Sequence, residues 1–192
     1  METAARTLGL SAALRVPDHL ILEGGDVIPF SREGNRALLI GYGRRTQLPT
    51  LDFLARELIP WGVDEIIGVE LAPWRINLDG CMVPVAEDVV LAHPDSVLSS
   101  VRFSVAGQER FDVLGMMLGI GMQIIDVTQD ESLFRQACNS LCLGNRRIIC
   151  YDMTPSALRR LEEAGVEALA VAGSELVKGT GGPRCMSRPI YS

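Results

Sequence analysis

Three stretches of this chain repeat one grammar: a helix-period segment, a glycine, a short apolar strand and a polar loop. The first is LDFLARELIPWGVDEIIGV, from Leu51 to Val69; the second is FDVLGMMLGIGMQIIDV, from Phe111 to Val127; the third is ALRRLEEAGVEALAV, from Ala157 to Val171. In the third, Leu158, Leu161 and Ala164 recur at helical spacing, while Arg159, Arg160, Glu162 and Glu163 take the opposite face. Thr154-Pro155 marks its start and Gly165 its stop. Hairpin-like segments lie between these stretches. Strand runs flank Glu33-Gly34-Asn35, then Ala86-Glu87-Asp88, then Gly144-Asn145, the last a strong turn signal. The order strand–strand–helix–strand, about three times over with a period of roughly 50 residues, predicts a repeat array or propeller of ββαβ modules. An ordinary α/β sandwich with similar hairpins is the alternative. No linker or low-complexity segment interrupts residues 1–192, which reads as a single domain, with 1–19 an N-terminal extension and 20–192 the modules.

Composition narrows the function. A chain of 192 residues, 47% apolar and 22% charged, buries a core without staples. Its net charge of −6 offers no basic face to phosphate backbones, so no nucleic-acid partner is expected. The longest charge-free apolar run, Val113 to Ile125, is broken by Gly115, Gly119, Gly121 and Gln123 and is far short of the ~20 residues of a membrane span. The N-terminal METAARTLGLSAALRV lacks a basic segment followed by an uninterrupted apolar one, so no secretory signal is read there. Five cysteines, at 81, 138, 142, 150 and 185, show no CxxC pair, and His19 and His93 are too few to build a zinc site around. No metal or other cofactor is expected. Cys138 and Cys142 read as buried small apolar residues, and the chain as a cytoplasmic protein with reduced thiols.

The polar loops that follow the third strand of each unit are where an array of this kind gathers a pocket. They hold Trp74-Arg75-Ile76-Asn77-Leu78-Asp79, then Thr128-Gln129-Asp130-Glu131, then Ser174-Glu175-Leu176 leading to Cys185. Cys185 ends the glycine-rich stretch Lys178 to Arg184; glycines allow close backbone approach, and an adjacent Arg184 would favour thiolate. Glu23-Gly24-Gly25-Asp26 sets two carboxylates around a Gly-Gly turn, which reads as a surface turn or, with Asp79, as an acidic cation site. Arg44-Arg45-Thr46 is a solvated basic turn or an anchor for a ligand carboxylate.

Together these residues resemble the arginine deiminase, dimethylargininase and amidinotransferase family of guanidine-modifying enzymes, from about Leu20 to the end. Glu23 to Asp26 matches the family's EGGD signature, and Gly43-Arg44-Arg45-Thr46 its glycine-then-Arg-Thr segment. Glu175-Leu176 through Cys185, Met186 and Pro189 matches its closing signature, and Cys138 to Asp152 reads like its penultimate module. The resemblance implies a propeller of five ββαβ modules, here a partial one of about three. It implies that Cys185 attacks the guanidinium carbon and that Asp79, Asp26 and Arg184 lie at the substrate. It implies that Glu23 orients the catalytic group at position 77, and that Arg45 holds a carboxylate at the far end. The substrate is then a small guanidino-type molecule.

Two departures qualify the match. The family's His-x-Asp reads Asn77-Leu78-Asp79, so an amide stands where the proton shuttle would be. His93-Pro94 falls at a later strand end, and His19 precedes the EGGD strand. The family's second guanidinium-binding acid, found well before its EGGD, has no counterpart in the residues before Glu23. The expected function is cysteine-dependent hydrolysis or amidino transfer at a guanidino or amidine-like C–N bond, with an altered proton path. The alternatives are an inactive member serving as a binding or regulatory subunit, and the same thiol used on a different electrophile. A three-module piece leaves open sheet edges, which predicts a homo-oligomer or a heteromer with a chain that supplies the missing modules.

Overall fold

A computed structural model describes residues 14–187. Its first unit contains β1 (Val27–Arg32), β2 (Asn35–Tyr42), α1 (Leu48–Leu58) and β3 (Glu65–Leu71). β1 and β2 are antiparallel, joined at Glu33 and Gly34, which both take positive φ as a two-residue hairpin requires. α1 then crosses over so that β3 runs parallel to β2. The helix turns Thr50, Leu51, Leu54 and Ala55 inward. Gly68 on β3 makes room for it, since a Cβ there would fall 2.4 Å from Leu51 Cδ2.

The second unit has β4 (Met82–Ala86), β5 (Val89–Ala92), α2 (Val113–Gly119) and β8 (Gln123–Asp126), with β4–β5 antiparallel and β5–β8 parallel. It is interrupted. Between β5 and α2 the chain makes a hairpin of β6 (Val97–Ser104) and β7 (Gly107–Phe111) that joins the first unit's sheet through β3. Ser100 anchors this excursion, donating to the Phe111 carbonyl and accepting the Val113 N–H. After a short α3 (Gln129–Leu133), the third unit repeats the pattern with β9 (Leu141–Gly144), β10 (Arg147–Tyr151), α4 (Pro155–Glu163) and β11 (Glu167–Val171). α4 starts on Pro155 and ends at Gly165 with φ of +71°, as the sequence predicts, although the Thr154 side chain makes no capping bond.

Three ββαβ units are therefore present as expected, in sheets ordered β1-β2-β3-β6-β7, β4-β5-β8 and β11-β10-β9. Among the described residues the sheets are separate and do not close into a ring, and the β6–β7 hairpin departs from the expected repeat. A main core joins all three units, with Leu39, Ile67, Leu78, Leu91, Met117, Ile148 and Leu161 fully buried. Cys138 is buried as expected. Cys142 is not: it lies on the edge strand β9 and is exposed, its thiol directed to the Pro84 carbonyl. Among the described residues no helix is long and apolar enough to cross a membrane.

Candidate active site

The candidate site is assembled from the segments that lead into the first strand of each unit. Glu23 to Asp26 leads into β1, Asn77 to Asp79 into β4 and Asn139 into β9, while Cys185 lies beyond β11. Equivalent positions in a repeated unit fall on the same side of the array, which brings together residues far apart in sequence.

Asp26 is the hub of the first cluster. It is fully buried, and its Oδ2 accepts from Thr46 Oγ1 at 2.6 Å and Asn77 Nδ2 at 3.1 Å, while Oδ1 accepts the Leu78 N–H at 2.8 Å. Gly41 on β2 permits this, because a Cβ there would lie 2.7 Å from both Asp26 Oδ1 and Leu78 Cβ. Burial outweighs these donors and raises the Asp26 carboxyl to about 6. Asp26 was expected at the substrate. It is fully buried, and its bonds hold Asn77 and the Leu78 backbone in place.

Glu23 accepts from Asn77 Nδ2 at 2.8 Å through one oxygen and from Arg45 Nη1 at 3.0 Å through the other. The Asn77 amide thus bridges two carboxylates. The Arg45 side chain is 52% exposed and reaches toward solvent.

The second cluster holds the thiol. Cys185 Sγ lies 2.9 Å from Asn139 Nδ2 and 3.5 Å from Asp79 Oδ2. Asn139, fully buried, also accepts the Cys185 N–H through Oδ1 at 2.9 Å, and its backbone carbonyl accepts the Arg184 N–H. Arg184 does not turn to the sulfur. Its Nη1 donates to Asp79 Oδ2 at 2.8 Å and its Nη2 to the Val27 carbonyl at 2.8 Å. The expected thiolate-favouring effect of Arg184 is therefore not realised. Partial burial and the Asp79 carboxylate push the thiol above its ordinary value, against the pull of the Asn139 amide. Asp79 is itself buried, and burial raises it despite the Arg184 charge.

Gly25 links the clusters, since a Cβ there would lie 3.0 Å from Asn77 Cβ and 3.1 Å from Asp79 Oδ1. Thus Glu23, Asp26, Arg45 and Asn77 form one group, and Asp79, Arg184 and Cys185 another beside it.

Two residues escaped the sequence reading. Asn139 lies inside a stretch read as a hairpin and as the family's penultimate module, and nothing local signals a contact with a thiol 46 residues away. Arg75, in the same loop as Asn77, is buried with only neutral hydrogen-bond partners: Ser96 Oγ, Ser132 Oγ and the Gly80 carbonyl. It staples the loop's two ends together and to α3, and burial lowers its pKa. His93 is also part of this knot, bonded to Ser96 Oγ. The second loop, Thr128 to Glu131, was expected to join the pocket. It is instead the start of α3, where Thr128 and Glu131 form a reciprocal capping box and Asp130 pairs with Arg135.

A sequence model of the arginine deiminase family matches residues 12–192. The arginine deiminase of Rhodococcus erythropolis is 30% identical over 188 residues, covering 88% of this chain and 46% of its own. That of Staphylococcus haemolyticus is 27% identical over 200 residues, covering 88% and 47%. The chain thus spans about half the length of the curated relatives it matches. Among solved structures, the substrate-bound N-terminal domain of ArgZ, an arginine dihydrolase of cyanobacteria, shares the fold with a TM-score of 0.71 at 23% identity, over 95% of this chain and 61% of that one. A dimethylarginine dimethylaminohydrolase adduct aligns with a TM-score of 0.65 at 20% identity, over 96% and 63%. With nearly its whole length matched by the family's sequence pattern, the chain belongs to the arginine deiminase family.

Proposed function

We propose that this chain acts through Cys185 on the carbon of a guanidino or amidine-like group in a small arginine-like molecule. The observation that carries this reading is the setting of Cys185 Sγ, with an amide donor at 2.9 Å and a buried carboxylate at 3.5 Å. Such a pair is suited to a nucleophile that must lose a proton and attack a cationic carbon. In the first step Sγ bonds to the guanidino carbon and a C–N bond breaks; the thiol proton leaves with the departing nitrogen as ammonia or amine. In the second, water adds to the S-linked carbon, the C–S bond breaks, the thiol is restored and one proton is released with the ureido product. An amine in place of water gives amidino transfer. Asp79 carries the thiol proton toward the departing nitrogen, a role supported by its contact with the sulfur. Asn77 supplies hydrogen bonds but no proton, Glu23 and Asp26 hold it, and Arg45 receives a distal carboxylate. Likeness to arginine deiminases and to an arginine dihydrolase supports a substrate of this class.

The three units are, in this proposal, part of a propeller completed by a second copy or another chain. The apolar exposure of Leu143 and Val171 on the third unit's sheet supports this. Light scattering tests it, and a stable monomer with no partner would count against it.

A second reading is favoured by one observation. Asn77 sits between Glu23 and Asp26 with no titrating group at its position, as expected of a subunit that binds without turnover. Incubation with arginine and related guanidines, followed by detection of a ureido product and of a Cys185 adduct by intact mass, separates the two. Product formation that is lost in Cys185→Ser supports the enzyme; tight binding with neither adduct nor product supports the subunit.

A further inference from the structure

The turn from Asn77 to Gly80 carries two residues of the site, and it is held on both sides. In front, the Asn77 amide is bound to Glu23 and Asp26, the Leu78 N–H to Asp26 and the Asp79 carboxylate to Arg184. Cys185 Sγ lies 3.5 Å from Asp79 Oδ2. Behind, the Gly80 carbonyl accepts from Arg75 Nη1 at 3.2 Å and from Ser132 Oγ at 2.8 Å. Arg75 Nη2 donates to that same Ser132 hydroxyl at 2.8 Å, which closes a triangle, and Nε donates to Ser96 Oγ at 2.6 Å. Ser96 in turn accepts the Ala72 N–H through its carbonyl, where the loop begins, and its hydroxyl meets His93 Nδ1.

A charge is not what this cluster needs. Arg75 is only 3% exposed, and its side-chain partners among the described residues are all neutral. A buried cation without a counter-charge is destabilising relative to an apolar side chain of similar volume. Nor are its partners orphaned without it, since Ser132 would still donate to the Gly80 carbonyl and Ser96 would still bond His93. What a guanidinium alone supplies is a rigid planar fork whose donors reach three anchors at once.

We infer that Arg75 is a positioning residue for the active site: through the Gly80 carbonyl it fixes the Asn77–Gly80 turn so that the Asp79 carboxylate stays against the Cys185 thiol. The inference rests on Asp79 and Cys185 being the reactive pair of the proposed function. Without Arg75 the turn is held mainly by the site's own groups, and Asp79 is free to drift from the sulfur.

The pH dependence of iodoacetamide alkylation at Cys185, read by peptide mapping, tests this without requiring turnover. The C–S bond forms, iodide leaves and the thiol proton passes to solvent, so the rate follows the thiolate fraction. A carboxylate beside the sulfur disfavours thiolate. Its drift to about 5 Å in Arg75→Met should lower the midpoint of the profile and speed alkylation at pH 7 about three- to ten-fold. Loss of a positive charge alone would move the profile the opposite way. In an Asp79→Asn background the Arg75→Met shift should vanish, as it must when two residues act through one contact. Arg75→Lys keeps the charge but donates from a single point, so it too should lower the midpoint; it carries the test if Arg75→Met does not fold. A midpoint that stays or rises in either variant, even with a lowered urea midpoint, leaves Arg75 a structural staple and overturns the inference. So does a shift that persists in Asp79→Asn. Failure of the proposed function looks different: no guanidine is turned over, while the alkylation profile still reports on Arg75.

Discussion

The Asn139 side chain holds Cys185 at both ends, Oδ1 accepting its backbone N–H and Nδ2 donating to its sulfur, each at 2.9 Å. An N–H aimed at sulfur favours the thiolate, in a site where burial and Asp79 oppose it. A bond of this kind to a charged group corresponds to about one pKa unit. Asn139→Ala is therefore expected to raise the thiol pKa further and to slow iodoacetamide alkylation of Cys185 about ten-fold at pH 7. The pH dependence of the alkylation rate checks this. A profile that does not move would mean that Asn139 only shapes the loop.

Gly182 sets how closely the cysteine loop approaches Asn139. A Cβ at that position would fall 2.6 Å from Asn139 Cβ and 2.7 Å from its carbonyl oxygen, one of them backbone. Nothing lies within 4 Å of a Cβ at Gly179 in the same loop. Gly182→Ala should cost about 1–3 kcal/mol through overpacking and should slow Cys185 alkylation, while Gly179→Ala should do neither. Urea midpoints and labelling rates of the two variants decide the matter.

The contrast between those glycines shows where the sequence was legible. The ββαβ units were readable because their signals are local: the turn at Glu33-Gly34, the Pro155 start and Gly165 stop of α4, and the helical spacing of Leu158 and Leu161. The β6–β7 hairpin was missed because GQERF carries almost no buried face, with its first four residues exposed, and its sheet is built by a long-range pairing of β6 with β3. At the site, residue types and glycine patterns marked Cys185, Asp79 and Glu23 as candidates. They gave no sign that Arg184 turns away from the sulfur toward Asp79, or that Asp26 is sealed from solvent. Those outcomes depend on packing between segments more than 100 residues apart in the first case, and on the cover that Gly41 allows in the second.

Asp26 gives the chain a pH signature. Its carboxyl is raised from an ordinary 3.8 to about 6, chiefly by burial. A carboxyl raised in the folded state favours folding while protonated, so its contribution is fully present below about pH 4 and is lost as pH rises through about 6. The shift corresponds to roughly 3 kcal/mol. The stability of the wild-type chain relative to Asp26→Asn should fall by about that amount between pH 4 and 6 and be flat above 7. Parallel urea titrations across this range test it. A difference that stays constant with pH would show that Asp26 ionises at its usual value.

Asn77 offers the sharpest test of the proton path, because one substitution restores the missing group. Its Nδ2 bridges Glu23 Oε2 at 2.8 Å and Asp26 Oδ2 at 3.1 Å, so Asn77→His would turn a ring N–H toward two carboxylates. Neighbouring negative charge favours the imidazolium, and the new histidine should titrate above the usual ~6.5. A histidine raised in the folded state stabilises below its unfolded pKa and loses that contribution as pH rises through the folded one. Asn77→His should therefore be more stable relative to wild type at pH 6 than at pH 9. The chain has only two histidines, His19 and His93, so a third resonance in an NMR titration would be assignable directly. The imidazole also replaces the amide donor that joins Glu23 to Asp26. Any reaction that the wild-type chain performs through Asn77 should then fall, even though a proton shuttle in a fully formed site is worth about 10²–10⁴-fold. Equal turnover by wild type and Asn77→His on every guanidine tested would remove Asn77 from the mechanism.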